Sequence, residues 1–269
     1  IAQIYHSNLI NKISKNRTVD PISYELKNVL HKFKNGNNAV HKVNISTNGG
    51  NLIGIMGGSG TGKTSLLNIM NGNVRPDFGS IHINSKNLHT ESYQLRGAIG
   101  NISQNDLLIE ELTVFENLFY SARLNLGKVS SIQIASKVGR ILKQLGLYEI
   151  RHLKVGSVLN KIISGGQRKR LNIAIELIRE PSVLFIDEPT SGLSSRDSEY
   201  IMELLKELAL SGKLVFVVIH QPSSHMFKML DRLIIMDKGG YPVYDGIPVN
   251  AIVHFKKFSY RGNAHEREC

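Results

Sequence analysis

The octet Gly57-Gly58-Ser59-Gly60-Thr61-Gly62-Lys63-Thr64 constrains the fold more than any other stretch of the chain. It fits the pattern G-x-x-x-x-G-K-[ST] and directly follows the apolar run Leu52-Ile53-Gly54-Ile55-Met56, which reads as a buried strand. Strand, glycine-rich loop and helix in that order form a cradle for phosphate. Four glycines let the backbone wrap closely enough for several N–H groups to face phosphate oxygens, and the helix starting near Lys63 points its positive end at them. Lys63 is expected to reach the β- and γ-phosphates of a nucleoside triphosphate, with Thr64 as a Mg²⁺ ligand. Ser65 continues the loop into the helix.

With 269 residues, 41% of them hydrophobic, the chain can bury one large core or a core plus a small subdomain. No run of 18 apolar residues occurs, so no membrane-spanning helix is expected. The single cysteine, Cys269, excludes internal disulfides and any multi-cysteine metal site. A formal net charge of +11 suits nucleic acid or an anionic surface. The basic residues are nevertheless dispersed, with small clusters at Arg168-Lys169-Arg170 and Lys256-Lys257 and no aromatic-interleaved stripe, so no nucleic-acid partner is expected. The chain begins at Ile1 and stops at Cys269, which reads as a piece of a longer protein whose membrane part lies outside it.

Residues 1–21 read as a polar, basic leader or linker with room for one short helix. The turn signal Asn35-Gly36-Asn37-Asn38 splits residues 23–46 into two strands of an edge sheet. A helix over 63–70 follows the phosphate loop, and residues 79–83 and 98–102 read as a further strand pair. From 106 to 163 the periodicity turns helical. Thr113 with Glu116 spells a capping box for a helix to about 126, and a second helix runs over 131–145 before Gly146. Strands then recur at 183–186, 214–219 and 233–236, alternating with helices at 167–178 and 196–209. That alternation predicts an α/β fold whose mostly parallel sheet is covered by helices on both sides, with an antiparallel β subdomain and an inserted helical one.

Three elements follow the loop. Val183-Leu184-Phe185-Ile186-Asp187-Glu188 sets two carboxylates at the end of a buried strand, where open α/β sheets bind ligands. Ser164-Gly165-Gly166-Gln167 opens a helix and exposes N–H groups suited to a γ-phosphate, although the same word also spells an ordinary N-cap. His220 follows a third apolar strand.

Taken in order, these elements resemble the nucleotide-binding domain of an ATP-binding cassette (ABC) transporter, over roughly residues 22–250. The resemblance implies a P-loop NTPase (RecA-like) core at 22–105 and 164–262, a helical subdomain at 106–163, and from 263 a linker leading out of the domain. It implies ATP and Mg²⁺ as cofactors. Gly57 to Ser65 would hold phosphates, while Gln104 matches the Q-loop glutamine that touches Mg²⁺ and senses a transmembrane partner. Asp187 would hold Mg²⁺, Glu188 would polarise the attacking water, and His220 would contact the γ-phosphate. Ser164, Gly165, Gly166 and Gln167 match the signature motif. The family places an aromatic ring against adenine, and Phe33 takes that role here with Tyr24 as its competitor.

The words SGGQRKRLNIAIELI, His220-Gln221-Pro222-Ser223-Ser224 and Gly239-Gly240-Tyr241-Pro242-Val243-Tyr244-Asp245-Gly246 resemble the G subfamily, the white-pigment and multidrug type. That implies an ATPase on the cytoplasmic face of a membrane, acting in a head-to-tail dimer, with transmembrane helices C-terminal on the same chain. Ser194 stands where the family usually carries a D-loop aspartate, which keeps a non-hydrolysing regulatory module in view beside the transporter. A soluble relative acting on ribosomes or DNA is the other alternative.

Overall fold

The computed structural model describes residues 22–33, 36–95, 97–104, 106–157 and 162–265. The leader, Asn35, Asn105 and Cys269 lie outside them.

Two sheets form the framework. The first is antiparallel, in the order β2-β1-β4-β5, from β1 (Ser23–Lys32), β2 (Asn38–Asn48), β4 (Phe78–Ile83) and β5 (Lys86–Asn87). The second runs β10-β9-β3-β8-β7-β6, from β3 (Leu52–Gly57), β6 (Ile99–Ile102), β7 (Val183–Asp187), β8 (Leu214–Val218), β9 (Arg232–Asp237) and β10 (Tyr241–Gly246). All its pairs are parallel except that of β10 with β9.

The strand pair expected from residues 79–83 and 98–102 does not form. β4 pairs with β1 in the antiparallel sheet, and β6 pairs with β7 at the edge of the parallel one. Both are short segments with an apolar residue at every second position or so, and nothing local tells such a segment which of two sheets to join.

Strand alternation assigns the core. In β7, Val183 and Phe185 point into one apolar cluster while Leu184 and Ile186 point into the other; in β8, Leu214, Phe216 and Val218 oppose Val215 and Val217. One cluster lies against helix α1 (Lys63–Met70) and the antiparallel sheet. The other lies against α2 (Val114–Asn125), α3 (Ser131–Gln144), α4 (Gly165–Leu177) and α5 (Ser195–Leu210). The expected helical cover on both faces is therefore found on one face only; on the other, the antiparallel sheet shares the cover with α1, because its own apolar side also needs burial.

Helix starts follow their caps. Thr113 and Glu116 close the expected capping box on α2, and Ser130 with Gln133 closes one on α3. Two helices beyond those expected, α6 (Ser224–Met229) and α7 (Pro248–His265), flank β9 and β10. Tyr24 is a core residue: it is 1% exposed, its hydroxyl donates to Met70 O at 2.6 Å, and its ring packs on Phe185 and Phe216. That placement removes it as a platform for a base.

Candidate functional site

Sheet order lines up the chemistry. β3, β8, β7 and β6 are consecutive neighbours, and register places Ile55 beside Val218 and Val218 beside Asp187. Ile102 stands beside Ile186. Just past this row come Gly57, His220, Glu188 and Gln104, each within two residues of its strand's last paired position. Four strand ends thus bring four distant segments to one edge, the carboxyl edge where open α/β sheets bind ligands.

The phosphate loop is held from outside. Gly62 caps α1 in a left-handed conformation, φ 89°, with no side-chain cap bond, and a Cβ there would stand 2.1 Å from Ala39 O. Only glycine fits between α1 and β2. Gly60 is also left-handed, with nothing near its missing side chain, while a Cβ on Gly57 would meet Met236 O at 2.4 Å. Thr61 is buried and donates to Gly58 O at 3.0 Å, stapling the loop. Ser59 is exposed on the rim. Lys63, 7% exposed, folds its ammonium back onto Gly57 O and Gly58 O at 3.0 and 2.6 Å. These carbonyls hold the ammonium in place, and a bound phosphate would compete for it.

Asp187 has a buried Oδ1 with no hydrogen-bond partner, and the Thr64 hydroxyl bonds to its carboxyl group. Burial pushes its pKa up, and nearby Glu188 adds to the rise; the Thr64 bond, Lys63 and Lys169 pull it down. An orphaned carboxylate oxygen beside a hydroxyl is the chemistry a hard divalent cation fits, so Thr64 and Asp187 suit Mg²⁺. Among the described residues no cluster of three or more His, Cys, Asp or Glu forms a separate metal site.

Glu188 adopts φ 45°, a left-handed conformation that costs a non-glycine residue energy. Its N–H donates to Val218 O at 3.1 Å, and its Oε2 accepts from Gln104 Nε2 at 3.2 Å. Gln104 and His220 are exposed, and Gln221, after the histidine, is also left-handed at φ 45°.

The signature turn lies elsewhere. Ser164 caps α4, its Oγ accepting from Gln167 N at 3.1 Å while its own N–H donates to Gln167 Oε1 at 2.7 Å. The capping box does not by itself exclude a ligand, because it leaves the amides of Gly165 and Gly166 outside the helical ladder. The turn packs on the start of α5: a Cβ on Gly165 would meet Leu193 at 3.0 Å, and one on Gly166 would meet Asp197 at 2.5 Å. Among the described residues no hydrogen bond joins Ser164–Gln167 to the phosphate loop of the same chain. Ser194, at the departure from the family pattern, N-caps α5 by accepting from Asp197 N and donates its hydroxyl to Asp197 Oδ2 at 2.9 Å.

Phe33 is 48% exposed beyond β1, in a turn made by its bonds with Asn37 O and Gly36 N. β2 starts five residues later, and its Ala39 touches Gly62, so the ring stands on the hairpin that borders the loop. Sequence reasoning passed over a second ring nearby. Tyr241, 45% exposed, lies tilted against His41 with centroids 4.3 Å apart, next to Gly240, which also packs against Ala39. The small basic cluster Arg168-Lys169-Arg170 is also engaged one residue at a time. Arg168 makes a bidentate pair with Asp106, Lys169 donates to Gln104 O, and Arg170 lies over the Tyr200 ring.

Comparison with known proteins agrees with this geometry. Residues 40–191 match the family model described as ABC transporter. The chain is 36% identical over 249 residues to ABC transporter G family member 26 of Arabidopsis thaliana, covering 92% of this chain and 34% of that protein. To the ABC-type transporter claG of Penicillium crustosum it is 37% identical over 212 residues, 78% of this chain and 28% of that one. Among solved structures, cbiO1 from Clostridium perfringens, part of the ABC transporter complex cbiONQ, superposes with a TM-score of 0.75 at 26% identity. That match covers 91% of this chain and 98% of cbiO1. The chain spans between 18% and 34% of the length of the curated relatives it matches.

Proposed function

The chain belongs to the ABC transporter family, and on that premise we propose that it binds ATP with Mg²⁺ between two head-to-tail copies and hydrolyses it to drive transport through a membrane region. The observation that carries this reading is the row of strand ends β3, β8, β7 and β6, which gathers Lys63, His220, Glu188 and Gln104 at one edge. No helix among the described residues is long and apolar enough to cross a membrane. A separate membrane region, C-terminal on the same chain, would supply the path and set the domain on the cytoplasmic face.

Phosphoryl transfer asks a protein mainly for positioning and charge neutralisation. Loop amides and Lys63 would grip the β- and γ-phosphates, and Thr64 and Asp187 would hold Mg²⁺, which when bound neutralises charge on the transferring group. Glu188, turned by its left-handed backbone and held by Gln104, would orient water in line with the γ-phosphorus; His220 would fix the γ-phosphate by hydrogen bonding. Gly165 and Gly166 of the neighbouring copy would offer amides from the opposite side. Phe33 would give adenine a face to stack on.

Turnover in the full-length protein tests the reading. Replacing Glu188→Gln removes the group that orients water, and the expected loss in kcat is about a hundredfold or more. Unchanged turnover would assign the chemistry to another residue, and no turnover in the unsubstituted protein would favour a regulatory ATP-binding module.

A further inference from the structure

Lys169 is the one lysine of α4, and it lies beside the catalytic acids, acting on the charge of Asp187 without being among the groups assigned to hold nucleotide. It is 9% exposed, and its ammonium donates to Gln104 O at 2.5 Å and approaches Ser103 O at 3.5 Å. Three carboxylates, Asp106, Asp187 and Glu188, act on its charge, while burial opposes that charge. Its neighbours on α4 are engaged separately. Arg168 pairs with Asp106 and donates to Gly156 O, and Arg170 reaches back to Gly166 O and over Tyr200.

We propose that Lys169 is a positioning residue that fastens α4 to the backbone of the glutamine loop and so sets Gln104 against Glu188. The path is short and fully contacted. Lys169 Nζ bonds the Gln104 carbonyl, and the Gln104 amide donates to Glu188 Oε2 at 3.2 Å. A buried ammonium stays where acceptors compensate its lost hydration, so these carbonyls hold the side chain as firmly as it holds them.

The inference extends further if the shared-site reading under Proposed function holds, on which this part rests. Ser164–Gln167 would then serve the neighbour's nucleotide while Gln104 and Glu188 serve this chain's own. Lys169 stands on the same helix about 7 Å beyond Ser164, from a rise of about 1.5 Å per residue. A shift of α4 on contact with the neighbour's γ-phosphate would therefore move the Gln104–Glu188 pair directly, linking the two sites of the dimer. Lysine suits this task because a compact ammonium swivels between two carbonyls, whereas a guanidinium's rigid fork would need both acceptors in its plane.

Two measurements on the full-length protein test the assignment. Amide exchange without nucleotide reads the strut independently of ATP chemistry. Lys169→Met is expected to speed exchange in the peptide holding Ser103 and Gln104 by about tenfold, with the β3–α1 peptide unchanged. Equal exchange in both proteins overturns the proposal. The second measurement is a double-mutant cycle in kcat. Lys169→Met and Gln104→Ala are each expected to cost about tenfold at unchanged KM, and the double variant no more than Gln104→Ala alone. Additive losses overturn it, since they make Lys169 act elsewhere. If Lys169→Met fails to fold, Lys169→Arg enters the same cycle, with an expected loss of about threefold on the natural background and none on Gln104→Ala. An intact exchange effect in a protein without turnover would fault the hydrolysis reading and leave the strut standing.

Discussion

The phosphate loop and the signature turn are both glycine-rich and both open a helix, yet they are finished in opposite ways. α1 begins at Gly62 with no side-chain cap, so its first amides stay open, while the loop is backed by Ala39 and Met236 and stapled from within by Thr61 and Lys63. α4 begins at Ser164 with a closed capping box, which satisfies its own helix start before any ligand arrives. The loop is a cradle whose open amides call for an anion. The turn is stable empty and offers only the Gly165 and Gly166 amides, which suits a group that meets a ligand only while a neighbour presents one.

Three substitutions bear on this contrast, in falling order of effect. Lys63→Ala removes the one charge inside the cradle, and ATP affinity by calorimetry is expected to fall about a hundredfold. An unchanged affinity would deny the loop its role. Ser164→Ala should leave ATP binding to a single copy intact while weakening nucleotide-driven association about tenfold. It also costs the start of α4 about 1 kcal/mol as the cap is lost, readable in thermal melts. If it weakened binding to the single copy as much as Lys63→Ala does, the two regions would not divide the work.

The smallest effect concerns Asp187. Because its folded pKa is raised, the nucleotide-free protein binds this proton more tightly than the unfolded chain, and its stability declines as pH rises through the ordinary carboxylate range toward the raised value. Asp187→Asn mimics the protonated form, so its Tm without nucleotide should exceed that of the natural protein near neutral pH and converge with it in acid. The same variant should lose the Mg²⁺-dependent part of ATP binding. A lower Tm at neutral pH would show that the carboxylate is held by partners after all.

What the sequence made legible was local. A strand, a loop and a helix start are each spelled by contiguous residues, so the phosphate loop, the Thr113 capping box and the run ending in Asp187 are visible as words. Long-range choices were not. Residues 79–83 and 98–102 enter different sheets because sheet membership depends on partners far along the chain. β10, with Pro242 inside it, is absent from the strands read from the sequence, although the edge of a sheet tolerates that proline. Tyr24 and Phe33 are equivalent as letters, and only burial separates them. Lys169 was hidden most completely, since Arg168-Lys169-Arg170 resembles surface charge until Asp106 and the glutamine-loop carbonyls are folded against it. A basic triplet directly behind a glycine-rich helix start was the one available signal.

The claim underlying both regions is that a single nucleotide is gripped by the loop of one copy and the turn of another. Sedimentation velocity of the Glu188→Gln variant with ATP and Mg²⁺ tests it most directly. The predicted result is an ATP-dependent dimer whose dissociation constant rises about tenfold when Ser164→Ala is added; a persistent monomer at saturating ATP would contradict it.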